Sequence, residues 1–363
     1  MKRIYLLLFA NLLLPVSIIA QERIIDAQTR TPVSAASIID ASGNMVGFTL
    51  SDGEFTKIPE SAYPVTIRCL GYEQHVIERP ANKTWEITPA VYDLEEVIIV
   101  PIERSILKQI LYIREYFSLS TKSDTVAFFT EYMADRFIPA SKEAKFNGNT
   151  SLRILGNRSF SRFMISDKDS VAMSPETSFP SMLSVFDLNI KKITAPESFK
   201  ENGEITKYYE EPGKSGMSLI MKQNSQTFTT IIDGLADEKD HSISPWLLKA
   251  IGFSMEIGQL YMTHAYRVNE NGIYLPKDLL EASFVMVADG KGKFIRKILN
   301  SDKPVLVHSM IELYVVDRSY LSKDEAKKEY KNKPGNVEFV IPSTVPPLNE
   351  ATQRMVERAK VSR

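Results

Sequence analysis

The chain has 363 residues, of which 44% are hydrophobic and 25% charged, a balance that excludes global disorder and leaves room for a sizeable core. Lys plus Arg total 44 against 45 for Asp plus Glu, a net charge of -1, and the basic residues are dispersed; a nucleic-acid or anionic-lipid binder would be more basic. The length suggests about two domains.

Residues 1–20 read as a secretory signal peptide. Lys2 and Arg3 supply the positive start, Ile4 to Ala20 is almost wholly apolar, and Ala20 before Gln21 is the small residue a cleavage site needs. The stretch is short for a spanning helix and is interrupted by Pro15, so cleavage is expected over retention as an anchor. No cysteine closes the leader, so a lipoprotein signal is not expected. No later stretch approaches the length of an apolar membrane span, and a water-soluble mature chain is expected, exported to the periplasm or associated with the outer membrane.

Residues 21–100 read as all-β. Turn signals recur at Ser42-Gly43-Asn44, Asp52-Gly53, Pro59-Glu60 and Pro80-Ala81-Asn82, between short strand cores at Ile38-Ile39, Val65–Ile67 and Trp85–Ile87. Such spacing predicts a β-sandwich. The single cysteine, Cys69, excludes an intrachain disulfide and, between Arg68 and Leu70 in a predicted strand, is expected to be a buried structural thiol rather than a reactive one.

Ile24-Ile25-Asp26-Ala27, Pro32-Val33 and Ala35-Ala36-Ser37-Ile38, followed by Gly47-Phe48-Thr49, Asp52-Gly53-Glu54-Phe55 and Leu70-Gly71-Tyr72-Glu73, resemble the ordered motifs of the carboxypeptidase-regulatory-like family. Asp52-Gly53 suits a tight turn with glycine at positive φ, after which Phe55 would point inward, and Gly71 would let the chain bend before Tyr72 packs its ring. The resemblance implies a transthyretin-like sandwich of seven strands, non-catalytic, serving folding, docking or binding beside another module of a Gram-negative envelope protein. Leu94-Glu95-Glu96-Val97-Ile98-Ile99-Val100 resembles the strand that closes this module before the plug of TonB-dependent transporters, but no plug or barrel pattern follows it here.

Residues 101–363 read as an α+β domain dominated by antiparallel strands, opening at Pro101. Ile102, Ile106, Ile110, Ile113 and Phe117 recur at helical spacing and predict an amphipathic helix packed on the following sheet. Thr125–Met133 predicts a central strand with Val126, Phe128, Thr130 and Tyr132 on one face. Hairpins are expected about Gly156-Asn157, Asn224-Ser225, Asn271-Gly272 and Asp289-Gly290-Lys291-Gly292, the last leading into a strand over Phe294–Leu299, with a further long strand at Val305–Val316. Ser244 before Pro245 would cap a helix over Trp246–Phe253, Ser322 with Glu325 forms a capping box for a helix to about Lys331, and Asn349 caps a last amphipathic helix carrying Ala351, Met355, Val356 and Ala359. Phe128-Phe129-Thr130-Glu131-Tyr132, Glu143-Ala144 and Gly156-Asn157-Arg158 resemble the segment that follows the regulatory module in many envelope proteins, and a sheet with helices on its concave side would also resemble the half-barrel of lipoprotein carriers.

The search for chemistry returns no catalytic set. His75, His241, His264 and His308 lack the spacing of a zinc helix, and each reads as a core or surface histidine before it reads as a ligand. Asp233, Asp237, Glu238, Asp240 and His241 crowd one stretch without the calcium-loop pattern and read as a solvated loop. No Gly-x-Ser-x-Gly elbow occurs, Gly213-Lys214-Ser215-Gly216 is not a phosphate loop, and Glu210-Glu211 has no assignable acid–base role. The triplets at Asn82, Asn149 and Asn157 that match a glycosylation acceptor read as chance. Tyr208, Tyr209, Tyr261, Tyr266 and Tyr274 fit either a sugar- or peptide-binding face or a β core, with the core preferred. No catalytic, cofactor-binding or metal residue is therefore assigned. The function expected is that of a non-enzymatic envelope protein that binds a protein partner or a small apolar or glycan ligand; a carrier sheltering an apolar ligand and a hydrolase with a dispersed site are the alternatives.

Overall fold

The computed structural model describes residues 22–91, 105–140, 152–174, 207–234, 254–332 and 338–361, apart from short breaks, together with 181, 183, 193 and 194. The leader at 1–20, the segment 94–100 and the helix expected at 246–253 lie outside the described residues. No helix among the described residues is long and apolar enough to cross a membrane.

The first part holds β1 (Glu22–Asp26), β2 (Ser37–Asp40), β3 (Met45–Phe48), β4 (Glu54–Phe55), β5 (Val65–Arg68), β6 (His75–Ile77) and β7 (Thr84–Ile87). They form two small sheets, ordered β4-β1-β7 and β3-β2-β5-β6. Ile24, Ile38, Phe55, Ile67, Trp85 and Ile87 form one core cluster. Phe55 and Trp85 meet with ring centroids 4.6 Å apart. The Asp52-Gly53 turn requires its glycine: φ is +77°, and a Cβ there would lie 2.5 Å from the Ile24 carbonyl oxygen.

The rest is built on an open ten-stranded antiparallel sheet. Its strands are β8 (Ile106–Ser120), β9 (Thr125–Pro139), β10 (Arg153–Ile165), β11 (Lys168–Ser174), β13 (Lys207–Pro212), β14 (Ser218–Gln223), β15 (Thr227–Asp233), β16 (Ser254–Arg267), β18 (Leu279–Lys291) and β19 (Val305–Leu321). The short β12 (Ile193–Thr194) and β17 (Ile273–Tyr274) pair only with each other. The sheet order is β11-β10-β9-β8-β19-β18-β16-β15-β14-β13, so two meanders are joined where β8 lies against β19, almost 200 residues later in the chain. The helices are α1 (Lys293–Leu299), α2 (Lys323–Lys331) and α3 (Glu350–Val361).

Four sequence expectations are corrected. The helix over 102–117 is strand β8 in its described part, 106–117. β8 is buried on both faces, with Leu111, Ile113, Phe117 and Leu119 on one and Tyr112 on the other. A strand apolar on both sides contains residues at helical spacing by coincidence, and its wealth of Ile, Tyr and Phe was the discriminating signal. Gly156-Asn157 is no turn; β10 runs through it with a register shift between Ile154 and Gly156, a bulge. Phe294–Leu299 lies in helix α1, whose Ile295, Ile298 and Leu299 reach the core; Gly290 admits it, since a Cβ there would lie 2.6 Å from Val307 and 2.8 Å from Ile295. Asn271-Gly272 turns the chain, but β16 pairs with β15 and β18 instead of with β17. The predicted central strand β9, the β14–β15 hairpin, the capping box of α2 and the Asn349 cap of α3 are all present.

The two faces of the large sheet differ. One carries a single large apolar cluster including Phe128, Phe228, Leu260, Tyr266, Phe284 and Ile311, onto which α1 packs. The other receives the N-terminal part: Ala35, Ile39 and Met45 pack against Ile220, Ile231, Tyr261, Val285 and Met310. Beside them α3 covers Phe129 and Phe160 through Met355, Val356 and Ala359, and Val345 covers Tyr112, Met133 and Tyr314.

Candidate binding site

On the face that meets the N-terminal part, strand register aligns charges of alternating sign. Arg158 on β10, Glu131 on β9, Arg114 on β8 and Glu312 on β19 lie opposite one another in successive strands. Arg158 donates to Glu131, as does the Tyr112 hydroxyl. Arg114 Nε donates to the Tyr112 oxygen at 3.1 Å, and its Nη1 donates to the Pro346 carbonyl at 2.5 Å. Arg68, at the end of β5, closes the row from the N-terminal side: Nη2 donates to Glu312 Oε2 at 2.8 Å and Nη1 to the Tyr116 hydroxyl at 3.0 Å. Burial alone would lower the Arg68 pKa; Glu312, with Tyr116 and Tyr314, outweighs it and holds the guanidinium charged. Every member has a partner, so this row is a latch between the two parts rather than an open reactive site.

Beside the latch runs a cleft. Cys69, Leu70, Gly71, Tyr72, Ala90 and Val91 form a wall shared by two adjoining cavities. The smaller, about 60 Å³, reaches Arg68, Glu281, Glu312 and Tyr314. The larger, about 140 Å³, lies between Asp26, Thr29 and Thr31 on the N-terminal side and Lys222, Thr229 and Thr263 on the sheet. Two features hold the wall in place. Gly71 has φ +82°, and the Tyr72 hydroxyl that follows donates to Asp26 Oδ2 at 2.9 Å. Asp26 Oδ1 accepts from the backbone N–H of Gln28 and of Thr29, each at 2.8 Å. Across the cavity Lys222 Nζ donates to the Pro32 carbonyl at 2.6 Å, tying β14 to the N-terminal part.

No family model matches this chain. No curated protein matches it either. Among solved structures, it is similar over 60% of its length to a lipovitellin structure concerned with lipid–protein interactions, at 10% identity and a TM-score of 0.30, and spans 26% of that chain. It is also similar over 58% of its length to the ywiB protein of Bacillus subtilis, at 5% identity and a TM-score of 0.16, spanning 94% of that chain. At these scores neither likeness carries an argument about fold or function.

The residues singled out by sequence are dispersed. His75 is exposed on β6, while His264 and His308 are buried in β16 and β19, and burial pulls both down to about 4, with Arg136 adding to the effect at His264. Asp233 ends β15, and Asp237, Glu238, Asp240 and His241 lie outside the described residues. Among the described residues no three His, Cys, Asp or Glu side chains converge as a metal site would require. Cys69 is half-buried, its Sγ 3.7 Å from the Ser34 carbonyl, and burial pushes its thiol up to about 12, so it stays protonated and unreactive. Tyr261, Tyr266 and Tyr274 are core residues, the last stacked on Phe228 with centroids 3.9 Å apart. The side chains of Tyr208, Tyr209, Glu210 and Glu211, and residues 213–216, lie outside the description. Asn82 and Asn149 also lie outside it, and Asn157 belongs to strand β10 rather than to a loop. Sequence reading missed Arg68, Lys222 and the threonines of the cleft. The available signals were a charge inside an apolar strand at each of Val65–Arg68 and Leu219–Lys222, and the alternating hydroxyls of Thr227 and Thr229.

Proposed function

We propose that this chain is an exported, non-enzymatic binding protein of the cell envelope whose ligand sits in the seam between its two parts. In this reading residues 21–100 are a carboxypeptidase-regulatory-like, transthyretin-like β-sandwich that serves as a fixed accessory wall, and residues 101–363 supply the floor. The family-like motifs support the first part, as do seven strands in two sheets around one core cluster. The leader-like residues 1–20 support export.

The observation that carries the reading is the larger cavity, whose lining comes from both parts and is rich in hydroxyl groups. Its one thiol is protonated, and the two buried histidines are held neutral elsewhere in the sheet, so neither a thiolate nor a histidine-activated nucleophile is assembled there. The test is native mass spectrometry of the mature protein purified gently from its own envelope, beside Thr229→Trp, which fills the cavity. A co-purifying small mass present in the wild type and lost from the variant is expected. A retained protein partner with the cavity empty would replace this reading with docking. Hydrolytic turnover that survives purification and depends on a single residue would make the chain an enzyme.

A second reading, a carrier of an apolar ligand such as a lipid chain, rests on the continuous apolar face of the sheet opposite the seam, with Phe128, Leu260, Met262, Phe284, Met286 and Ile311, all buried, so that a ligand would have to displace what covers them. It predicts a lipid mass that survives Thr229→Trp.

A further inference from the structure

We infer that the larger seam cavity takes a single-ring, hydroxyl-rich carboxylate of the hexuronic-acid class, with Lys222 as its counter-ion; this rests on the seam being the ligand site. An ammonium has three N–H donors. Lys222 uses one, on the Pro32 carbonyl. No carboxylate among the described residues forms an ion pair with it, and the acid lining the same cavity, Asp26, is committed to two backbone N–H groups and the Tyr72 hydroxyl. Cys69, on the shared wall, is a neutral thiol and supplies no charge. A half-buried cation with no carboxylate in contact is costly, Asp26 acts on it only through space, and a ligand carboxylate would stabilise it through charge-assisted hydrogen bonds.

The remaining lining suits the rest of such a molecule. Thr229 lies directly opposite Lys222 in the β14–β15 ladder, and Thr263 lies beyond on β16. On the facing wall the hydroxyls of Thr29 and Thr31 are 2.8 Å apart. Hydroxyls both donate and accept, as a sugar ring requires, and Val33, Val91 and Ile231 offer apolar contact to a ring face. The volume of about 140 Å³ is close to that of a cavity that holds one benzene-sized ring, on the order of 150 Å³, which gives room for a single ring and not for a second. A phosphate dianion is a poorer match: one lysine and no arginine line this cavity. Burial also pulls the Lys222 pKa below that of a free lysine, with Asp26 only partly opposing, and a bound carboxylate would reverse that shift.

The experiment is calorimetric titration of the mature full chain with glucuronate, glucose and acetate, repeated on Lys222→Met, Lys222→Arg and Thr229→Trp. Glucuronate should bind the wild type roughly tenfold or more tighter than glucose, the increment of a charged over a neutral hydrogen bond. Lys222→Met should bring glucuronate down to the level of glucose, and Lys222→Arg should keep most of the difference. Equal binding of glucuronate and glucose by the wild type, or no saturable binding of glucuronate, overturns the inference without needing any variant to fold. If both sugars bind equally and Thr229→Trp abolishes both, the anion partner falls and the seam site stands. If Thr229→Trp leaves binding unchanged, the seam site itself falls.

Discussion

His264 and His308 sit on opposite faces of the same sheet, His264 with the large apolar cluster and His308 on the side of the latch, and each is held neutral by burial with a pKa of about 4. An exposed histidine titrates near 6.5. Between those values the unfolded chain binds more protons than the folded one, so stability is present in full above the unfolded pKa and is lost as pH falls from about 6.5 toward about 4. Each site accounts for on the order of 3 kcal/mol across that window. Urea midpoints measured at pH 7.5 and pH 5 should therefore differ strongly, and His308→Gln should remove about half of the dependence, the part His264 does not carry; a midpoint independent of pH over this range would contradict it. At this scale the sequence was only partly informative. The placement of His308 in a strand was legible from the apolar run Val305–Val316, whereas Lys222 reads as one more surface lysine until Pro32, 190 residues away, is laid over it.

Helix α3 shows what local chemistry decides at the level of an element. Asn349 Oδ1 accepts from the Thr352 N–H at 2.8 Å, satisfying one of the four donors a helix start leaves open. The helix then buries Ala351, Met355, Val356 and Ala359, the residues its spacing marked. Asn349→Ala should cost about 1 kcal/mol by chemical denaturation, with Asn349→Asp close to wild type; equal losses in both variants would mean that Asn349 acts through packing instead of capping. The capping box of α2 was legible for the same reason, since Ser322 and Glu325 bond each other's backbone three residues apart. β8 was not. Its apolar residues satisfy a helical period and a strand period at once, and only pairing with β9 and β19 selects the strand.

Across the whole molecule, Arg68 and Glu312 join the two parts through an ion pair whose side chains are 3% and 8% exposed. Removing one partner strands the other charge in a buried site, so Arg68→Met should cost about 3–5 kcal/mol, while Arg68→Met combined with Glu312→Leu should recover much of that loss. A denaturant titration of the four proteins in this cycle measures the coupling. Strictly additive losses would show that the pair does not couple the parts. Because Ala35, Ile39 and Met45 also enter the interface, the wild type should unfold in a single transition, and weakening the latch should lower its midpoint.

What the sequence determined by itself was local. Its turn dipeptides, caps and apolar alternation specify a β-rich chain with two C-terminal helices, because backbone sterics and hydrogen bonds within a few residues carry that information. It also placed the first strands and the Gly53 and Gly71 bends, each of which has positive φ. The tertiary structure alone decided that β8 pairs with β19, that the N-terminal sheets lie on one face of the ten-stranded sheet, and that Arg68, Asp26 and Lys222 line the same seam. Those residues come from segments far apart in the chain, 190 positions between Pro32 and Lys222 and 244 between Arg68 and Glu312, and their chemistry depends on desolvation and on opposing charges brought together only when the sheet packs on the N-terminal part.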